Sequence, residues 1–104
     1  MKTIMLVCAA GMSTSLLVTK MKQAADAAGE EANIFALPVS EGVNHLDEVD
    51  CILLGPQVRF QKKTVEDALA AKGMNKPVDV IDMKDYGMMN GEAVYAFAKK
   101  LLGE

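Results

Sequence analysis

Tryptophan is absent, histidine occurs once, and aromatic residues make up 5% of this 104-residue chain. So few aromatics leave little on which nucleic-acid bases could stack, and a net charge of −3 supplies no basic footprint for a duplex, so no nucleic-acid partner is expected. The two cysteines, Cys8 and Cys51, form no C-x-x-C pair and have no histidine cluster for company. That speaks against a structural zinc site and a dithiol redox centre, and no metal site is expected. No apolar run approaches the ~18 residues of a membrane span. The opening stretch Lys2 to Val7 is too short for a signal peptide's apolar core, so a cytoplasmic protein is expected. Internal repeats, linkers and low-complexity segments are also missing.

What is present is the composition of a globular core, 51% hydrophobic and 24% charged, in a chain sized for one domain over residues 1–104. The apolar period changes in an orderly way. "KTIMLVC" (2–8), "NIFAL" (33–37), "DCILL" (50–54) and "VDVI" (78–81) read as strands. Between them, Leu16, Leu17, Lys20/Met21, Ala24 and Ala28 mark a helix over 15–28 stopped by Gly29, and the polar 40–48 suggests a short helix. Val65, Ala68, Leu69 and Lys72 mark a helix over 60–72, and Asn90 can cap a last helix, 91–102, with a stripe of Val94, Phe97, Ala98 and Leu101. Strands alternating with helices predict a small doubly wound α/β domain with a four-stranded parallel sheet flanked by helices. Such sheets bind ligands beyond the carboxyl ends of their strands, and Cys8 ends the first one.

From Cys8 the loop runs Ala9, Ala10, Gly11, Met12, Ser13, Thr14, Ser15 into the helix. Small residues let backbone N–H groups turn inward, and together with the helix start they form a nest for a phosphate-sized anion. Ser13, Thr14 and Ser15 can donate hydroxyl hydrogen bonds to its oxygens, and one of them is expected to cap the helix. The positive helix end also favours the thiolate, which makes Cys8 a candidate nucleophile facing its own anion cradle. Turn and cap chemistry alone would put similar residues in such a place, so the pattern by itself leaves both readings open.

"CAAGMSTSLLV" (8–18), "LLGPQV" (53–58) and "KPVDVIDMKDYGMMNG" (76–91) resemble the enzyme IIB component of the lactose/cellobiose (chitobiose) class of bacterial phosphotransferase systems, nearer its cellobiose branch. The resemblance implies a phosphoryl carrier whose cysteine, here Cys8, takes phosphate from a histidine of a IIA component and passes it to a sugar bound by a membrane IIC component. The sugar would be cellobiose, chitobiose or a related β-glucoside. No metal or organic cofactor is implied, a monomer is expected, and both partners should dock around Cys8. The family fold is similar to that of low-molecular-weight tyrosine phosphatases, which makes a phosphatase-like hydrolase the alternative. Those enzymes place an arginine six positions after the cysteine, where this chain has Thr14, and use an Asp-Pro acid that it lacks. Slow hydrolysis, as a relay requires, is therefore expected. An arsenate-reductase-like enzyme would want further cysteines near Cys8, and a module that only holds an anion would form no covalent adduct.

Other residues have modest expectations. Cys51, at the start of its strand, reads as core and too far from Cys8 for a disulfide, and His45 reads as surface. Gln57 is a candidate for the rim of the site, Arg59, Lys62 and Lys63 for local positive charge, and Asp82, Asp85 and Tyr86 for the border of the crevice. Met12, Met88 and Met89 are candidates for an adaptable apolar rim.

Overall fold

The computed structural model describes residues 1–9 and 12–104, the side chains of Met12 and Ser13 excepted. Its strands are β1 (Lys2–Cys8), β2 (Ala32–Pro38), β3 (Cys51–Leu54) and β4 (Val78–Val80), all parallel, in the order β2-β1-β3-β4. The helices are α1 (Met12–Ala27), α2 (Val39–Gly42), α3 (Lys62–Ala71), α4 (Met83–Gly87) and α5 (Gly91–Leu101), with 3₁₀ turns at Leu46–Glu48 and Pro56–Gln61. This is the expected four-stranded parallel α/β sheet. The strand order reverses between β1 and β3, so the ligand-binding crevice of such a sheet falls beside the end of β1.

The period of two along β1 divides its side chains between two cores. Ile4 and Leu6 pack with Leu17, Met21, Val94 and Ala98 under α1 and α5, while Met5 and Val7 pack with Val39, Val65 and Leu69 under α2 and α3. Both faces are covered, which is why β1 reads as an unbroken apolar run. Cys8 continues the alternation of Ile4 and Leu6, and its sulfur meets Thr14 of α1.

Several boundaries differ from the sequence reading. Helix α1 begins at Met12, not Ser15, and its buried stripe is Leu17, Val18, Met21 and Ala25, leaving Leu16 and Ala28 exposed. The buried face follows the i, i+3 and i, i+4 steps from Leu17 and Val18 to Met21 and Ala25, and Leu16 falls outside that arc. Ser13, Thr14 and Ser15 thus lie inside the first turn, and the position before Met12, where a capping side chain would sit, lies outside the described residues. Phe60 is exposed in the 3₁₀ turn, and Lys72 lies outside α3, paired with Asp47 at 3.7 Å. Asn90 caps α5 as expected, its side-chain oxygen accepting from the Ala93 N–H at 3.1 Å.

At the amino end of the sheet a charged network joins residues that no local pattern linked. The Glu30 carboxylate accepts from Lys99 Nζ at 2.7 Å, from the Tyr95 hydroxyl at 2.6 Å and from Lys2 Nζ at 3.3 Å, and Lys2 also pairs with Glu104 at 2.8 Å. These donors, Lys99 first, hold the Glu30 pKa down at about 2 against an ordinary 4.5. A depressed carboxylate contributes stability that is complete above the unfolded-state value and is lost as pH falls through the folded one. Glu30→Gln is therefore expected to lower Tm at pH 7, and the gap from wild type should close between pH 4.5 and about 2 in thermal melts.

Candidate functional site

Cys8 ends β1 at the switch point, and the Gly55 N–H donates to the Val7 carbonyl at 2.9 Å, so the chain leaving β3 starts out beside it. The thiol is buried, 4% exposed, and its Sγ lies 3.3 Å from the hydroxyl oxygen of Thr14, itself fully buried on the first turn of α1. That turn carries no acidic side chain, so no fixed negative charge there competes with an anion at the positive end of the helix.

On its other side Cys8 opens on a recess of about 370 Å³ lined by Ala9, Pro38, Val39, Ser40, Val43, Gln61 and Thr64. Its walls are mostly apolar, with two hydroxyls and one amide and no titratable group besides the thiol. Sequence reasoning found Cys8 and Ala9 but missed the rest. The signal was available: β2 pairs with β1 in parallel, so Pro38 and the residues after it had to emerge at the same edge as Cys8.

The remaining candidates scatter. Ala10 and Gly11, and the side chains of Met12 and Ser13, lie outside what is described, while Ser15 is exposed on α1. Gln57 sits in a separate recess with Pro56, Arg59, Met83, Tyr86 and Gly87, and Gln61 takes the place at the Cys8 recess that Gln57 was expected to fill. The cations are committed locally: Arg59 donates to the Pro56 carbonyl at 3.0 Å, Lys62 pairs with Asp79 at 3.6 Å, and Lys63 with Asp67 at 3.3 Å. Asp82 caps α4, accepting from the Lys84 N–H at 2.8 Å and the Asp85 N–H, and Tyr86 is buried in the core under that helix. His45 pairs with Glu48 at 2.8 Å on the surface. Met88 is exposed, whereas Met89, at φ 51°, packs against the α1–α5 core.

Cys51 is fully buried opposite Ile4, four residues back along β1 from Cys8, and both cysteines are free. Burial, with Asp50 and Asp79 adding to it, pushes its pKa up to about 12. It is a core residue without the thiolate character of a nucleophile. Among the described residues no group of three or more His, Cys, Asp or Glu side chains could hold a metal ion, and no helix is long and apolar enough to cross a membrane.

A family model described as "PTS system, Lactose/Cellobiose specific IIB subunit" matches residues 3–97. The oligo-beta-mannoside-specific EIIB component of Bacillus subtilis is 44% identical, covering 98% of this chain and 97% of its own. The galactose-specific EIIB component of Lactococcus lactis is 47% identical, with 97% and 96% covered. Among solved structures, that of a cellobiose-specific phosphotransferase IIB component from Borrelia burgdorferi superposes with a TM-score of 0.79 at 38% identity, covering 98% of this chain and 92% of that one. A match this long to the family model, with relatives this similar over nearly their whole length, means that the chain belongs to the lactose/cellobiose-specific IIB family and is a sugar-phosphorylating component of a phosphotransferase system.

Proposed function

We propose that residues 1–104 form one IIB domain that carries phosphate on Cys8, taking it from a phosphohistidine of a IIA component and delivering it, on the cytoplasmic side, to a sugar held by the membrane IIC component. The observation that carries this reading is the position of the Cys8 sulfur, between the amino end of α1 and a recess through which a partner group can approach. In loading, the thiolate attacks phosphorus, the S–P bond forms as the P–N bond breaks, and the electron pair returns to the imidazole nitrogen. In discharge a sugar hydroxyl oxygen attacks, the O–P bond forms, and the S–P bond breaks to restore the thiolate, with the hydroxyl proton passing to solvent or partner. Backbone N–H groups from Ala9 through Ala10, Gly11, Met12, Ser13, Thr14 and Ser15 cradle the transferring oxygens, and the α1 dipole supports their charge.

The recess lining offers neither an arginine to clamp a phosphate nor a carboxylate to activate water, which suits an intermediate that has to outlive the search for its acceptor. The sugar is proposed as cellobiose, chitobiose or a related β-glucoside. Relatives named for different sugars match this chain about equally well, in keeping with sugar choice residing in the membrane component.

Intact-protein mass spectrometry after incubation with phosphoenolpyruvate, the general phosphotransferase proteins and a cognate IIA tests the reading. One added phosphate, mapped to Cys8, stable for minutes and discharged by membranes containing IIC only when sugar is present, is the expected result. No adduct from a verified donor, with turnover of a phosphate ester instead, would establish the hydrolase.

A further inference from the structure

Thr14 stands where a phosphatase would have its arginine, but its fully buried side chain meets the nucleophile's sulfur at 3.3 Å. A hydroxyl so placed can serve either the sulfur or the phosphate, and the two roles have opposite consequences. Resting on the carrier reading, we infer that the Thr14 hydroxyl donates to the Cys8 thiolate and thereby sets how strongly the phosphorylated domain tends to give its phosphate away.

The argument is one of linkage. A hydrogen bond stabilises a charged acceptor more than a neutral one. In the carrier mechanism the Cys8 sulfur takes back negative charge as it leaves phosphorus, whereas in the S–P bond that charge has moved to the phosphoryl oxygens and the sulfur accepts poorly. The Thr14 bond therefore favours the unphosphorylated side of both transfers. It opposes loading, and it stabilises the leaving group when a sugar oxygen displaces sulfur. In each step the same S–P bond forms or breaks, and Thr14 keeps its own proton throughout. The recess holds no cation and no second titratable side chain that could do this for the sulfur, and the Lys62 and Lys63 ammonium groups pair with Asp79 and Asp67.

Thr14→Val keeps the shape and removes the hydroxyl, while Thr14→Ser keeps the hydroxyl and removes a methyl. With IIA and phosphorylated IIA in fixed ratio and no membrane component, intact mass reads the phosphorylated fraction at equilibrium. Thr14→Val is expected to raise the ratio of phosphorylated to free chain by about tenfold, the scale of one hydrogen bond to a charged acceptor, and to slow discharge to sugar. Thr14→Ser should stay near wild type in both. Iodoacetamide gives a second readout that needs no partner. Cys8 in Thr14→Val should alkylate more slowly than wild type at pH 7, with Thr14→Ser near the wild-type rate. Far-UV circular dichroism of each variant checks that it folds.

A lower phosphorylated fraction in Thr14→Val would assign the hydroxyl to the phosphate and overturn the inference, as would an unchanged fraction or an equal defect in Thr14→Ser. Absence of any adduct on wild type would instead overturn the carrier reading, and this inference with it.

Discussion

Cys8→Ser is expected to fold as wild type does and to accept no measurable phosphate, with transfer to sugar falling by at least about 10³-fold. The two halves of that expectation have separate causes. Serine is slightly smaller than cysteine, and its hydroxyl can keep the hydrogen bond to Thr14, so neither a void nor an unpaired buried group results. Transfer fails because a serine hydroxyl is un-ionised at neutral pH and needs a general base. The recess lining supplies none: no histidine or carboxylate faces the sulfur from Ala9, Pro38, Val39, Ser40, Val43, Gln61 or Thr64. Intact mass after incubation with donor, together with sugar phosphorylation by reconstituted membranes, checks both halves. A phosphate on the Cys8→Ser chain that maps away from position 8 would place the carrier site on another residue.

Among the described glycines, Gly91→Ala should have the largest effect on stability. In an exposed helix alanine is preferred to glycine by roughly 1 kcal/mol, so propensity alone predicts stabilisation. Packing reverses the sign. A Cβ at Gly91 would lie 2.4 Å from the Lys20 carbonyl carbon, 2.5 Å from Lys20 Cβ and 2.6 Å from the Met21 nitrogen. Two of those three atoms are backbone, so no rotamer change relieves the contact, and α5 has to move away from α1. Val94, Tyr95 and Ala98 would then lift from the core they share with Leu17 and Met21. A cost of about 3 kcal/mol is expected, equivalent to a fall in Tm of roughly 10–20 °C for a domain of this size. Calorimetry reads it directly, and an unchanged or higher Tm would mean that the α1–α5 contact is looser than described.

How far the sequence could be read follows from which signals are local. The first strand, Lys2 to Cys8, is recovered residue for residue because an apolar run bounded by a polar loop is a local pattern, and so is the Asn90 cap. Leu16 was misplaced because a run of adjacent apolar residues at the start of a helix does not say which of them faces the sheet. Helix α4 was missed because five residues are too few to show a period, although its Asp82 cap was visible as a candidate for other work. At the site, Cys8 was legible because the loop after it has the chemistry of an anion nest. Ser40 and Val43, after β2, and Gln61 and Thr64, after β3, arrive from two other segments and meet Cys8 only through the strand order. The Glu30 network was invisible for the same reason, as it joins Lys2, Glu30, Tyr95 and Lys99 across most of the chain.

The central place of β1 has a bearing on motion. Its neighbours β2 and β3 pair with it on both edges, and Ile4 to Val7 are at most 1% exposed between two separate cores. Amide protons of such a strand exchange with solvent only when the whole domain unfolds, whereas an edge strand such as the three-residue β4 can open locally. The proposed nucleophile is thus mounted at the end of an internal strand that is expected to open only with the whole domain. For the proposed carrier this means that local openings elsewhere would leave the alignment of sulfur and helix undisturbed, so the wait between donor and acceptor could be long without the site losing its shape.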